Sequence, residues 1–361
     1  MTDDGYVTLA VGEANVAAPG DDEVVVRVEA APINPSDLGM LFAGGDVSSA
    51  SAVDGDLPGV RASLSAGVLA AEGGRLGKAM PTGNEGGGVV VAAGGSEAAQ
   101  ALLGKVVGFF SGNAYAQYRT VHAAACLPMA DGTDPADAAA AFVNPLTALG
   151  MVETMRSEGH TALLHTVGAS NLGLMLNRIC IDDGVALVNI VRKPEHVEQL
   201  RQAGAAHVVD SSADSFVADL TDALRSTGAT IAFDAIGGGD LAGILLSCME
   251  KVASEGDQFS RYGSDTHKQV YVYGGLDRGP TMLRRDFGMS WSIGAWFCPF
   301  LVKVGQEGAN RLRQRVADEI TTTFASSYGM RLSLSDAVDP DQVRRYGRMA
   351  TGDKALVTPQ A

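Results

Sequence analysis

The sequence predicts an α/β protein in two parts: a mostly-β segment, then a doubly wound parallel sheet. Three observations carry that expectation. The chain has 361 residues, too many for one core of usual size and enough for two domains of roughly 150 residues or more each. Up to about residue 137 it reads as short apolar strands separated by Gly and Pro turns. From there on apolar strands alternate with helical stretches, the pattern of βα units covered by helices on both faces.

Taken in order, 24–28 is a β-branched strand, and 83–93 is a glycine loop running into another. Strands follow at 106–110 and 115–121, whereas 43–80 has too weak a periodicity for any element. At Asp134 the pattern changes. Asp134 suits a helix N-cap and Pro135 the first helical position, opening one helical stretch through about residue 155. Strands at 162–166, 186–191, 207–210, 230–235 and 270–273 then alternate with helices at 171–180, 194–203, 216–225 and 240–251. Residues 293–297 add an edge strand, and 354–358 form an isolated strand returning to the first domain. The expected domains are 1–137, 138–300 and a returning segment 301–361.

Lys and Arg number 27 against 42 Asp and Glu, a net charge of -15. Nucleic-acid binding is excluded on that ground, because it needs clustered cations. No apolar stretch reaches the roughly 18 residues of a membrane span. Cys126, Cys180, Cys248 and Cys298 are spaced neither as a disulfide framework nor as a zinc ribbon. The acidic N-terminus lacks signal-peptide order. A soluble, reducing, cytoplasmic setting is expected.

The most informative segment is Gly168-Ala169-Ser170-Asn171-Leu172-Gly173, between the strand ending at Thr166 and the helix beginning near Asn171. It is a G-x-S-x-x-G variant of the dinucleotide fingerprint. Small residues let backbone N–H groups approach a pyrophosphate, and the helix N-terminus adds partial positive charge. Ser170 replaces the middle glycine and has a hydroxyl to offer a phosphate. Alone, such a motif is equally a structural turn; its place at the head of a βα series favours the nucleotide reading. About 20 residues on, an NAD site carries Asp or Glu. This chain has Arg192-Lys193, which suits the 2′-phosphate of NADP(H), the alternative being a solvated turn.

Other short segments agree in order: Asn34-Pro35-Ser36-Asp37, Gly83-Asn84-Glu85-Gly86, Asn144-Pro145-Leu146-Thr147-Ala148, Asn189-Ile190-Val191-Arg192, Asp234-Ala235-Ile236-Gly237-Gly238, Tyr273-Gly274-Gly275 and Gly352-Asp353-Lys354. Together they resemble the zinc-free branch of the medium-chain dehydrogenase/reductases, which includes quinone oxidoreductases and enoyl thioester reductases. The resemblance implies a GroES-like catalytic domain and a Rossmann domain, with cofactor and substrate in the cleft between them. It implies a homodimer formed through the edge strand at 293–297. Beyond 168–173 and the basic pair, the implied NADP(H) contacts are Asp234, Ala235, Ile236, Tyr273, Gly274, Gly275, Phe297 and Lys354, with Asn144 and Thr147 approaching from the other domain.

Zinc-dependent relatives place Cys where Asn34 stands and His where Asn84 stands, and asparagine is a poor zinc ligand. No metal is expected. Enoyl thioester reductases of this branch carry a tyrosine acid shortly after the N-P-S-D segment, but this chain has no tyrosine between Tyr6 and Tyr115. The catalytic residue is therefore unassigned, with Asn34 and Tyr262 as candidates. Tyr115 and Tyr118 are read as packing a strand face, His165 as a core residue, and Arg311, Arg313 and Arg315 as a solvated helix face. Cys298 is read as a buried small residue. The expected activity is zinc-independent hydride transfer from NADPH to a quinone or an α,β-unsaturated carbonyl. The alternatives are an enoyl thioester reductase and a non-catalytic NADPH-binding protein.

Overall fold

The computed structural model describes residues 1–53, 55–256, 258–297, 300–352 and 354–361. Two residues named above, Cys298 and Asp353, lie outside the described residues. The chain divides into a first unit, Met1–Val143 with Arg313–Ala361, and a second, Asn144–Leu312. The sequence reading cuts instead at 137/138 and 300/301.

The first unit opens with β1 (Tyr6–Ala10), β2 (Glu23–Pro32), α1 (Pro35–Phe42), β3 (Asp46–Ala52), β4 (Gly59–Ser63) and α2 (Ala66–Ala71). It continues with β5 (Glu85–Ala93), α3 (Glu97–Gln100), β6 (Val106–Phe110), β7 (Tyr118–His122), β8 (Cys126–Pro128) and α4 (Pro135–Ala138). The second unit holds α5 (from Val143–Ser157), β9 (Ala162–His165), α6 (Asn171–Asp182), β10 (Ala186–Val191), α7 (Pro194–Gln202) and β11 (His207–Asp210). It goes on through α8 (Phe216–Thr227), β12 (Ile231–Asp234), β13 (Gly237–Gly239), α9 (Leu241–Ala253), β14 (Lys268–Val272), β15 (Asp277–Thr281) and β16 (Trp291–Ala295). Then come α10 (Phe300–Lys303) and α11 (Gly305–Asp318), and the chain returns to the first unit through β17 (Met330–Leu332), α12 (Pro340–Tyr346) and β18 (Ala355–Val357).

In the first unit a sheet runs β17-β18-β2-β5-β6-β8, with β7 also paired to β2. Val24, Val26 and Val28 alternate onto one face of β2 and bury against Val90, Val107 and Phe109. A smaller sheet runs β1-β4-β3. It fills the region for which the sequence gives no element, and the reason is visible in β3. Its residues DVSSASA bury only Ala50, so no hydrophobic alternation marks it.

The expected single helix from Asp134 is two. Asp134 caps α4, its Oδ1 accepting from Ala136 N at 2.8 Å with Pro135 in the first turn. The helix then breaks, because the N–H groups of Phe142 and Val143 donate to Glu85 Oε2 at 2.9 and 2.8 Å, and α5 restarts there. The strand expected at 115–121 starts three residues later, at Tyr118. Tyr115 instead sits in the preceding loop, its hydroxyl donating to Pro32 O at 3.1 Å, and Tyr118 is exposed.

In the second unit the sheet order is β11-β10-β9-β12-β14-β16, every pair parallel. Leu164, Val188, Ala232 and Val270 are wholly buried in it. Phe216, Leu220 and Leu224 on α8 and Leu245 and Met249 on α9 cover one face at helical spacing. The order reverses between β9 and β12, the position where open α/β sheets bind ligands at their carboxyl edge. β16 is the outer strand, lying at 291–295 rather than 293–297.

Candidate functional site

At the carboxyl end of β9 the chain turns sharply into α6. Val167 adopts φ 60°, a left-handed conformation that is costly for a β-branched side chain. Gly168 N donates to Ile190 O at 2.9 Å, which ties the turn to β10. No side chain fits at two of its glycines. A Cβ on Gly168 would lie 2.8 Å from Asn189 Oδ1, and one on Gly173 only 2.3 Å from Gly168 O. Ser170 is the N-cap of α6, its Oγ accepting from Gly173 N at 3.1 Å, so its own O–H remains available as a donor.

Asn189, at the tip region of β10, is a site residue the sequence reading missed. Its Nδ2 donates to Asn177 Oδ1 at 3.1 Å, and its buried Oδ1, beside Gly168, has no hydrogen-bond partner among the described residues. Only the resemblance of Asn189 to a family position hinted at it. Arg192 and Lys193 are exposed at the same edge. Among the described residues Lys193 makes only a long, solvent-facing pair with Glu195 at 3.6 Å, which leaves its charge open to another anion.

Asp234 closes β12 fully buried, and its carboxylate faces inward. Oδ1 accepts from Thr166 Oγ1 at 3.0 Å and Ile236 N at 2.9 Å, and Oδ2 from Gly237 N at 3.0 Å. Ala235 N donates in turn to Thr166 Oγ1 at 2.9 Å. With these hydrogen bonds made inside the protein, the Asp234 carboxylate shapes the turn carrying Ala235 and Ile236. Gly274 packs against that turn, where a Cβ would lie 2.6 Å from Ala235 O, while Gly275 is open. Tyr273 N donates to Asp234 O at 2.9 Å. The glycine turn, Asp234, Tyr273 and Gly274 are thus gathered at the carboxyl ends of β9, β12 and β14.

Asn144 and Thr147 lie one helical turn apart on α5 and group with the second unit. The expectation that they come from the other domain is corrected on that point. Phe297 is 78% exposed beyond the end of β16. Tyr262 is 57% exposed, its hydroxyl accepting from the adjacent Arg261, whose guanidinium also covers its ring. Among the described residues no acid–base partner other than Arg261 meets the Tyr262 hydroxyl. Of the three arginines on α11, Arg311 is exposed and pairs with Glu153 at 3.3 Å, Arg313 lies over the Phe142 ring and Arg315 pairs with Glu319.

In the first unit, Asn34 is 1% exposed at the start of α1. Its Nδ2 donates to Glu85 Oε1 at 2.8 Å and its N to Asp37 Oδ2 at 2.8 Å, while Oδ1 has no partner. Asn84 N donates to Asp37 Oδ1 at 2.9 Å, and Asn84 Nδ2 to Ser36 Oγ at 3.3 Å. Both asparagines are held by protein groups. The Lys354 Nζ is buried beside this cluster over the Tyr328 ring, without a hydrogen bond among the described residues. Burial pushes its pKa down to about 8, opposed by the charges of Glu85 and Asp37. Burial also pushes Asp37 up to about 6 and raises Glu85. Among the described residues no group of three or more His, Cys, Asp or Glu is placed to hold a metal, and no helix is long and apolar enough to cross a membrane.

No family model matches the chain. Among curated proteins it is 30% identical over 209 residues to the mitochondrial enoyl-[acyl-carrier-protein] reductase of Xenopus tropicalis. The match covers 56% of this chain, which spans about half (51%) of that relative. Among solved structures, a candidate NADPH:quinone reductase from Mesorhizobium loti superposes with a TM-score of 0.71 at 26% identity, over 95% of this chain and 89% of that one. The Escherichia coli quinone oxidoreductase, solved with NADPH, superposes at 0.67 and 17% identity over 96% and 95%. The chain thus carries the two-domain fold of the quinone oxidoreductases and enoyl reductases of the medium-chain dehydrogenase/reductase superfamily, the branch its motifs resemble.

Proposed function

We propose that the protein is an NADPH-dependent reductase of quinones or α,β-unsaturated carbonyls. The observation that carries this reading is the turn from Thr166 to Gly173, at the strand-order reversal, built so closely that no Cβ fits at Gly168 or Gly173. So close a turn at a helix N-terminus suits a pyrophosphate set against main-chain amides. The unpartnered Asn189 Oδ1 beside it offers a hydroxyl group an acceptor. Arg192 and Lys193 hold the 2′-phosphate, and Gly275, open where a side chain would stand, leaves room for the nicotinamide end. Bound there, NADPH supplies hydride to an electron-poor acceptor. The protein's own share is to orient the reactants and keep the reacting carbon at contact distance. Candidate NADPH:quinone reductases of this fold support the reading.

The outer edge of β16 has no strand partner among the described residues. Pairing of two copies along it, giving a homodimer, belongs to the proposal, as does a cytoplasmic setting. So do the roles given to 138–300 as the nucleotide domain and to 1–137 with 301–361 as the catalytic one. A second reading, an enoyl thioester reductase, is favoured by the similarity to the Xenopus tropicalis enzyme. NADPH oxidation followed at the nicotinamide band separates them. Turnover with 1,4-benzoquinone or a simple enone but not with crotonyl thioesters supports the first reading, and the reverse supports the second. NADPH binding with no turnover on any acceptor refutes both. Changing Arg192 and Lys193 to Ala weakens NADPH far more than NADH; equal effects would remove the 2′-phosphate assignment.

A further inference from the structure

His165 closes β9 and is wholly buried. Its Nε2 lies 2.6 Å from the Tyr273 hydroxyl, the two rings 5.8 Å apart and nearly parallel at 23°. The other ring nitrogen, Nδ1, is buried without a partner among the described residues. A neutral imidazole has one proton to place. On Nδ1 it would make a buried N–H with no acceptor, which proteins avoid more strictly than a lone pair with no donor. The proton therefore sits on Nε2 and is donated to the Tyr273 oxygen. That leaves the tyrosine's own O–H to point elsewhere. Tyr273 is the half-buried member of the pair, at the carboxyl edge of the sheet. Its backbone N donates to Asp234 O, and Trp296 packs edge-on against its ring at 6.4 Å and 85°.

We propose that Tyr273 is the catalytic proton donor for reduction of a conjugated carbonyl, and that His165 is its positioning residue, acting through the Nε2–H bond to the phenolic oxygen. The inference rests on the reductase reading above and narrows its substrate class to enones, whose reduced form needs a proton on carbon. It fills the gap left by the absence of any tyrosine between Tyr6 and Tyr115.

The step balances. With NADPH bound, hydride transfer to the β-carbon of the enone would leave an enolate and NADP⁺. The Tyr273 O–H bond breaks, a C–H bond forms at the α-carbon, and the electron pair stays on the phenolate oxygen. The Nε2–H of His165 holds that oxygen as charge develops, and water returns the proton afterwards. Burial keeps both partners in the required state beforehand. It pushes the His165 pKa down to about 3, so the ring is neutral, and together with the Asp234 charge it pushes Tyr273 up, so the hydroxyl is protonated.

The test has two arms. Nitrogen-15 spectra of the wild-type protein, with the His165 signals assigned by their loss in His165→Gln, report the tautomer without depending on activity. The expected result is a protonated Nε2 and a bare Nδ1; a protonated Nδ1 overturns the proposal. In the second arm, Tyr273→Phe lowers kcat on 2-cyclohexen-1-one by about 10²-fold, the range of a lost general acid, and abolishes the wild type's solvent deuterium isotope effect. NADPH affinity, read by fluorescence, stays within about threefold. His165→Gln, which keeps a donor at the Nε2 position, retains most of kcat, whereas His165→Leu loses it. A kcat within about threefold of wild type in Tyr273→Phe overturns the proposal, as does equal loss in the two His165 variants. Failure of the underlying reading looks different: the wild type then oxidises NADPH with neither quinone nor enone, and this inference falls with it.

Discussion

Gly173→Ala is the sharpest perturbation of the nucleotide turn. The added methyl would lie 2.3 Å from Gly168 O, 2.6 Å from its carbonyl carbon and 2.8 Å from its Cα. Carbon contacts relax at about 3.5–4.0 Å, so the turn and the first turn of α6 must separate by about 1 Å. Every atom in the way is backbone, and no rotamer change absorbs the shift. Overpacking of this kind costs about 1–3 kcal/mol of stability. The displaced amides also lose their aim at the phosphates. A hydrogen bond to a charged group is worth about 1.5–3 kcal/mol, so losing one or two weakens NADPH by about 10²-fold. Fluorescence titration with NADPH and a thermal melt measure both effects. Gly39→Ala on α1 is the control, because a methyl there meets nothing within 4 Å and gains about 0.5–1 kcal/mol of helix preference. A Gly173→Ala protein that binds NADPH within about threefold of wild type, at an unchanged melting temperature, refutes the claim that the closeness of this turn makes the site.

Three further outcomes are expected. Ser170→Ala removes the α6 cap and lowers stability by about 1 kcal/mol, with a further loss of NADPH affinity; urea titrations with and without NADPH check it. Glu250 accepts from Lys268 Nζ, Ser254 Oγ and Ser264 N and Oγ, and Lys268 is wholly buried. Glu250→Ala therefore strands a buried ammonium and costs about 3–5 kcal/mol in urea unfolding, whereas the double change Glu250→Leu with Lys268→Met costs less than the single one. The Asp37 carboxyl is pushed from 3.8 up to about 6, chiefly by burial. The native state thus holds this proton more tightly than the unfolded chain, so its stabilisation is full below about pH 4 and fades as pH rises through about 6. Over that window wild type loses up to about 3 kcal/mol relative to Asp37→Asn; parallel stability curves for the two proteins would sink this account.

The βα alternation of the second unit was legible because its central strands β9, β10 and β12 are buried on both faces and the helices beside them carry an apolar stripe, so element type shows in the residues themselves. Strand ends shift by a residue or two, as at 162–165 against the expected 162–166. The elements that escaped notice depend on partners distant in sequence. β3 buries a single alanine, and α1 is an eight-residue helix led by Asn34 and Pro35. The break before α5 is made by Glu85, a carboxylate 57 residues upstream. The same holds for the site. The glycine turn reads directly, because small residues between a strand and a helix are a local signature. The inward aim of Asp234 toward Thr166, 68 residues away, and the meeting of His165 with Tyr273, 108 residues apart, become visible only after folding.

The mostly-β unit is assembled from two stretches of chain that lie on either side of the second unit in sequence. Ala31 and Pro32 on β2 pair with Val357 and Leu356 on β18, and β18 in turn pairs with β17. During synthesis residues 1–143 leave the ribosome first, yet that edge of β2 waits for a strand made more than three hundred residues later. The contiguous stretch 144–312 has all its own strands well before then. The mostly-β unit, begun before the second, is accordingly completed after it, and in the interval it displays an unsatisfied strand margin open to capture by neighbouring nascent chains.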